Sequence, residues 1–231
     1  EGEGEGEGEG EGEGEGEGAS SAAAPEVQLL TDLGFMQGHA LAGLKLYEMG
    51  ELELGKVHIG HPIVEKYDAV ADPLKQRGHS DLKAQLVAMG DAAEAGKPAE
   101  EVAALYDDVA ATLETIRSEI EGGAKSELKS LALLTRIAAD EYKVAFKDGK
   151  MVNQKEYQDS WGFLQIVKAE AGELAESDDE QVAQAAEAIR SQAEEAESVY
   201  GGVLGDDVPQ PDASKIYGAA ARMEIAADKV G

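Results

Sequence analysis

Three of the four histidines fall in two short segments that a helical hairpin would bring face to face. Phe35-Met36-Gln37-Gly38-His39 precedes a turn at Gly50, and Lys56-Val57-His58-Ile59-Gly60-His61-Pro62-Ile63-Val64-Glu65 follows it. In an antiparallel helix pair, residues equidistant from the turn lie level. That places His39 opposite His61 and Met36 opposite Glu65. Within each helix, Met36 and His39 stand three apart, as do His58 and His61, with Glu65 four further on. Such residues share a face, with Cβ atoms about 5–6 Å apart. His39, His61, His58, Met36 and Glu65 are therefore expected to converge on one point between two helices. Pro62 removes an N–H and disfavours a ladder reaching back to His58, so a break is expected there, with His61 at the start of a fresh helix. Gly38 and Gly60 leave room beside the imidazoles.

Imidazole suits zinc, copper, iron and nickel, thioether favours copper, and carboxylate favours harder ions. A mixed His/Met/Glu set points to a transition metal, copper or iron more than zinc, which usually takes Cys, His and carboxylate. Haem held by the histidines is the alternative cofactor. The imidazoles must be neutral to ligate. His79, between Gly78 and Ser80, reads as a structural loop residue.

The elements that must position these groups are helical almost throughout. From Glu26 onward apolar residues recur at three and four, and alternating β-branched runs are missing. Gly50, Gly78, Gly96, Gly122-Gly123, Asp148-Gly149, Gly201-Gly202 and Pro209/Pro211 punctuate the chain at helix-length intervals. This spacing predicts helices over 27–49, 51–77, 80–95, 98–121, 126–147, 153–175, 178–200 and 212–230. Ser80 is expected as an N-cap, Pro98 at a first helical position, Asn153 with Glu156 as a capping box, and Ser177 before an acidic first turn. The break at Gly122-Gly123 divides the helices equally. The fold class is therefore all-α: two tandem antiparallel four-helix bundles over 26–121 and 124–231, with a single continuous eight-helix array as the alternative. A tail and linker over 1–25 precede them and are expected to be disordered.

In the second half, Leu133-Leu134, the group Ala139, Asp140 and Tyr142, the turn Lys147-Asp148-Gly149-Lys150, the pair Glu156-Tyr157, and an aromatic-aliphatic face with Phe163 follow in order. This stretch resembles the extracytoplasmic helical domain attached to permeases of the high-affinity iron-transporter family. The resemblance implies an extracytoplasmic bundle in a metal-uptake setting, with a membrane transporter as partner, and supplies no ligands. The permeases' membrane helices and carboxylate motifs are not represented. Read from the residues themselves, Asp140 and Glu156 are expected in solvent or bonded to the tyrosines. Trp161, Phe163, Leu164 and Val167 belong in a core.

Composition narrows the function classes. The net charge of the 231 residues is −28, and nine of the 48 acids lie in the strict Glu-Gly alternation of residues 1–18. The remainder carries 39 acids against 20 bases. Nucleic-acid phosphates and anionic lipid would repel it. No apolar run approaches the roughly 20 residues that span a bilayer, so direct membrane insertion is not expected. With no cysteine, disulfide frameworks and thiolate metal sites are excluded. No nucleophile with its base and no phosphate loop stands out, so an enzyme is not expected. The small-residue run Ala19-Ser20-Ser21-Ala22-Ala23-Ala24-Pro25 resembles the start of an exported mature chain, periplasmic or secreted. The function expected is capture or delivery of iron or copper. A non-catalytic structural or interaction subunit built from stacked bundles is the alternative.

Overall fold

The computed structural model describes residues 23–208 and 210–231, with the side chain of Glu65 outside the described part. The expectation for the Glu-Gly tail lies outside the described residues. The chain runs α1 (Pro25–Glu48), α2 (Leu52–Glu65), α3 (Tyr67–Gln76), α4 (Leu82–Glu94), α5 (Ala99–Glu119), α6 (Gly123–Ala145), β1 (Phe146–Lys147), β2 (Lys150–Met151), α7 (Gln154–Leu174), α8 (Glu180–Glu197) and α9 (Ala213–Ala227). The all-α expectation is met. The one sheet among the described residues is the two-residue hairpin β1–β2, turned by Asp148 at φ 52° and Gly149 at φ 74°. Positive φ at both central residues is what a tight hairpin needs.

One expected helix, over 51–77, is two. The break falls at Lys66 (φ −123°), not at Pro62, which sits inside α2. α2 continues past the proline and closes with the Lys66 N–H donating to the Pro62 carbonyl at 3.3 Å. His61 is therefore a mid-helix residue and starts no new helix. The caps follow the local sequence in the second half. Asn153 accepts from the Glu156 N–H at 3.5 Å and donates to its carboxylate at 3.3 Å. Asp179, rather than Ser177, caps α8 by accepting from the N–H groups of Gln181 and Val182.

Among the described residues, three apolar clusters form the interior. One fills α6–α9 with residues such as Leu128, Tyr142, Phe163, Ile189 and Met223, and Phe35 of α1 joins it. A second gathers Leu33, Met36, Tyr67, Leu74, Leu82 and Leu113. The third joins Leu44, Tyr47, Ile59, Met89 and Val102. α1 contributes to all three and packs against α2 and α5 on one side and α6 and α7 on the other. A helix apolar on every side belongs in the middle of an assembly, and α1 is buried almost continuously from Val27 to Tyr47.

Two glycine crossings bring backbones close on either side of His39. A Cβ at Gly162 of α7 would stand 2.3 Å from the Gly38 carbonyl oxygen, and a Cβ at Gly43 would stand 2.7 Å from the Gly55 carbonyl oxygen of α2. Gly38 thus gives its space to the α7 backbone, not to an imidazole. A polar tie reinforces the same junction. Buried Arg117 of α5 donates to Gln37 of α1 at 2.5 Å and pairs with Glu170 of α7 at 2.9 Å.

Candidate metal centre

The crossings set His39 of α1, His58 and His61 of α2, and Asp159 of α7 around one point. The level pairing across Gly50 holds: the His39 and His61 ring centroids are 5.5 Å apart, and those of His58 and His61 are also 5.5 Å apart. His39 Nε2 lies 3.3 Å from Asp159 Oδ1. His58 Nδ1 lies 2.7 Å from the same oxygen, and His58 Nε2 lies 2.8 Å from Gln158 Oε1. One ligand atom from each of His39, His61 and Asp159 falls within 4.8 Å of the others. Phe35 and Phe163 pack their rings 4.4 and 4.9 Å from that of His39 and wall off one side.

The surroundings of the three imidazoles differ. His39 Nδ1 stands 3.1 Å from the Phe35 carbonyl, which can only accept, so Nδ1 carries the proton. In the neutral ring Nε2 then carries the lone pair, the atom facing Asp159. Burial drives the His39 pKa down to about 4, with the charges of His58 and His61 adding to the effect and Asp159 opposing it. Burial likewise lowers His61, with His58 and Lys155 in the same direction and Asp159 against. His58 differs. Burial opposes its charge, but the Asp159 carboxylate and the bonds to Asp159 and Gln158 prevail and raise its pKa. Asp159 is held below the usual carboxylate range: burial works against its charge, and the three histidines, with the bond from His58, overcome it.

At neutral pH the arrangement therefore presents two neutral imidazoles and an ionised carboxylate. The neutral Nε2 of His39 and the Asp159 oxygen are both electron-rich, and they face each other at 3.3 Å. That is the separation of two ligand atoms each about 2.1 Å from a shared ion at near-tetrahedral angles. Two imidazoles and one carboxylate with positions left open form the facial donor set of non-haem ferrous sites. The donor chemistry fits a divalent first-row ion.

Of the five expected ligands, the structure brings His39, His61 and His58 together. Met36 is corrected: it is fully buried among Leu33, Tyr67 and Leu74, facing α3 to α5. Three residues before His39 on a helix is a rotation of about 60°, and on a helix buried all round that is enough to enter a different core. Glu65 closes α2, and its side chain lies outside the described residues. His79 is the structural residue expected, paired with Glu119 at 2.7 Å. Asp159 and Gln158 join the site without having been among the expected ligands. Both lie on another helix, beyond the reach of a rule about one hairpin. A signal was present nonetheless: Asp159 stands four and seven residues before Phe163 and Ile166, placing a carboxylate on a core-facing stripe.

A second carboxylate group adjoins the site across the α6–α7 hairpin. Burial raises the Glu141 pKa to about 9, and a hydrogen bond with Glu156 and the charges of Glu156, Asp159 and Asp140 push the same way. Glu141 thus keeps its proton at neutral pH and spares the site another negative charge. Its folded pKa lies above the ordinary 4.5, so the folded protein holds a proton that the unfolded chain has released. Stability should fall as pH rises between those two values. Glu141→Gln, which keeps a donor without the proton, should melt close to wild type at pH 5 and above it at pH 8. Thermal melts at the two pH values decide the point, and an unchanged pH slope in the variant would contradict it. The other acid of this region, Asp140, accepts a hydrogen bond from Tyr217 of α9, not from the hairpin tyrosines Tyr142 and Tyr157, whose hydroxyls donate to the Val199 and Gly202 carbonyls.

Among the described residues, no helix is long and apolar enough to cross a membrane. No curated protein and no solved structure matches the chain. One family does, and the match begins at the glycine pair that opens α6, takes in Gln158 and Asp159, and leaves His39, His58 and His61 outside it. Residues 123–230, the C-terminal half of the chain and the whole of α6 to α9, match the family of the iron permease-associated 4-helix bundle domain.

Proposed function

We propose that the protein captures a divalent transition metal, with ferrous iron as the cargo, and hands it to a membrane permease on the extracytoplasmic side. One observation carries this reading: a neutral histidine lone pair and an ionised carboxylate converge at 3.3 Å in a buried site. A cation between them would take one bond from each. The match to the iron permease-associated 4-helix bundle domain supplies the setting. Iron is preferred to copper because Met36, the thioether that favoured copper, packs elsewhere. An ion is preferred to haem because Phe35 and Phe163 lie against the His39 ring where a macrocycle would need space.

The roles follow from position. A chain of net charge −28 draws cations toward its surface. His61, half-buried where its partners are buried, is the first ligand an incoming ion meets. His39 and Asp159 complete the set. Because burial has already lowered the imidazole pKa values, no proton competes with the ion near pH 7. Three protein ligands leave coordination positions for water or for a ligand of the receiving protein, which suits cargo that must leave again.

Anaerobic calorimetric titration with ferrous iron, and separately with zinc, tests the proposal. Wild type should bind one ion with Kd below about 100 μM. His39→Ala and His61→Ala should each weaken binding tenfold or more, and Met36→Leu should leave it unchanged. If wild type binds neither ion, the histidine cluster is a structural polar core and the chain is an interaction subunit.

A further inference from the structure

The two histidines of α2 sit one turn apart, but their surroundings divide their work. We infer that His58 is not a ligand but the positioning residue that aims Asp159 at the ion, with Gln158 holding the ring from its far side. The inference rests on the proposed metal site and assigns a role within it. A ligating imidazole needs one nitrogen with an uncommitted lone pair. His58 Nδ1 is 2.7 Å from Asp159 Oδ1 and Nε2 is 2.8 Å from Gln158 Oε1. Both neighbours are oxygens, so both nitrogens donate. Were the Gln158 amide reversed, its nitrogen would donate to Nε2, and that atom would still be engaged. His58 is also fully buried, whereas His61 is half-buried. The ring of His58 lies 6.5 Å from that of His39, against 5.5 Å for His61.

The bond from His58 fixes the orientation of the Asp159 carboxylate on the oxygen that also faces His39. Outer partners of this kind set ligand direction, and their loss typically weakens metal binding 10–100-fold. A second consequence is mechanical. His58 and Asp159 are 101 residues apart in sequence, so the same bond ties α2 to α7.

The test counts coordinated imidazoles on the intact protein loaded with Cu(II), using pulsed electron paramagnetic resonance, with affinity measured alongside. The expected count is two in wild type. It should remain two in His58→Gln, whose amide N–H can still reach Asp159, with affinity within about threefold of wild type. His58→Ala should also retain two, with affinity down 10–100-fold. His39→Ala should show one. Three imidazoles in wild type, or the loss of one in either His58 variant, would overturn the assignment while leaving the metal site standing. Failure of wild type to bind Cu(II) at all would overturn both. The wild-type count decides the matter even if a variant does not fold.

Discussion

Gly162→Ala is expected to unfold the protein at a markedly lower temperature and to open the proposed metal site together. The new methyl would stand 2.3 Å from the Gly38 carbonyl oxygen and 3.1 Å from the Ala42 Cβ. Backbone cannot move aside as a flexible side chain can, so α1 and α7 must separate. In isolation, alanine would favour a helix by about 1 kcal/mol over glycine. Overpacking a close crossing costs about 1–3 kcal/mol and occasionally more, and here the obstruction is main chain on a central helix, so the loss should prevail. A net loss of about 2 kcal/mol corresponds to a drop of about 4–8 °C in Tm for a chain of this size. Separation of the helices also widens the 3.3 Å gap between His39 and Asp159, since His39 follows Gly38 directly. Gly90→Ala in α4 is the control. Nothing lies within 4 Å of its would-be Cβ, so its Tm should hold or rise. Equal behaviour of the two variants would contradict the role given to the crossing.

Much of this arrangement can be read from residue types, and the parts that cannot have physical causes. The hairpin about Gly50 is legible because a turn between two helical periods fixes which residues lie level, and the 5.5 Å approach of His39 and His61 follows from it. The Asp148-Gly149 turn and the Asn153 cap are legible because local geometry demands those residue types. Met36 is not, since an amphipathic helix has one inner face and α1 has several. The continuation of α2 through Pro62 is a packing effect: the proline costs a hydrogen bond, and contacts with α1 and α4 hold the helix together beyond it. Asp159 is the largest omission. Its meaning depends on α7 crossing α1 at Gly38 and Gly162, and that crossing joins residues more than a hundred positions apart. The role proposed for His58 depends in turn on its contacts with Asp159 and Gln158, which the same crossing brings within reach.

Asp159→Asn should remove metal binding while leaving the shape of the site intact. The amide is isosteric with the carboxylate, but it contributes no charge and a weaker donor atom, and its NH2 end competes for the lone pairs the ion would use. Loss of this ligand should exceed the 10–100-fold typical of outer partners, so affinity should fall by at least about 100-fold. The metal-free protein should also be less stable. Breaking a buried ion pair on one side costs about 3–5 kcal/mol when the partner stays charged. His58 can shed its proton, and relief of the contact between Asp159 and the His39 lone pair offsets part of the loss, so the fall should be smaller than that. Anaerobic titration of ferrous iron into wild type and Asp159→Asn, with circular dichroism confirming helix in both, is the most direct measurement. Wild type should bind one ion, and the variant none at matched concentrations. Equal binding by the two proteins, or no binding by wild type, would contradict a site built by α1, α2 and α7 together.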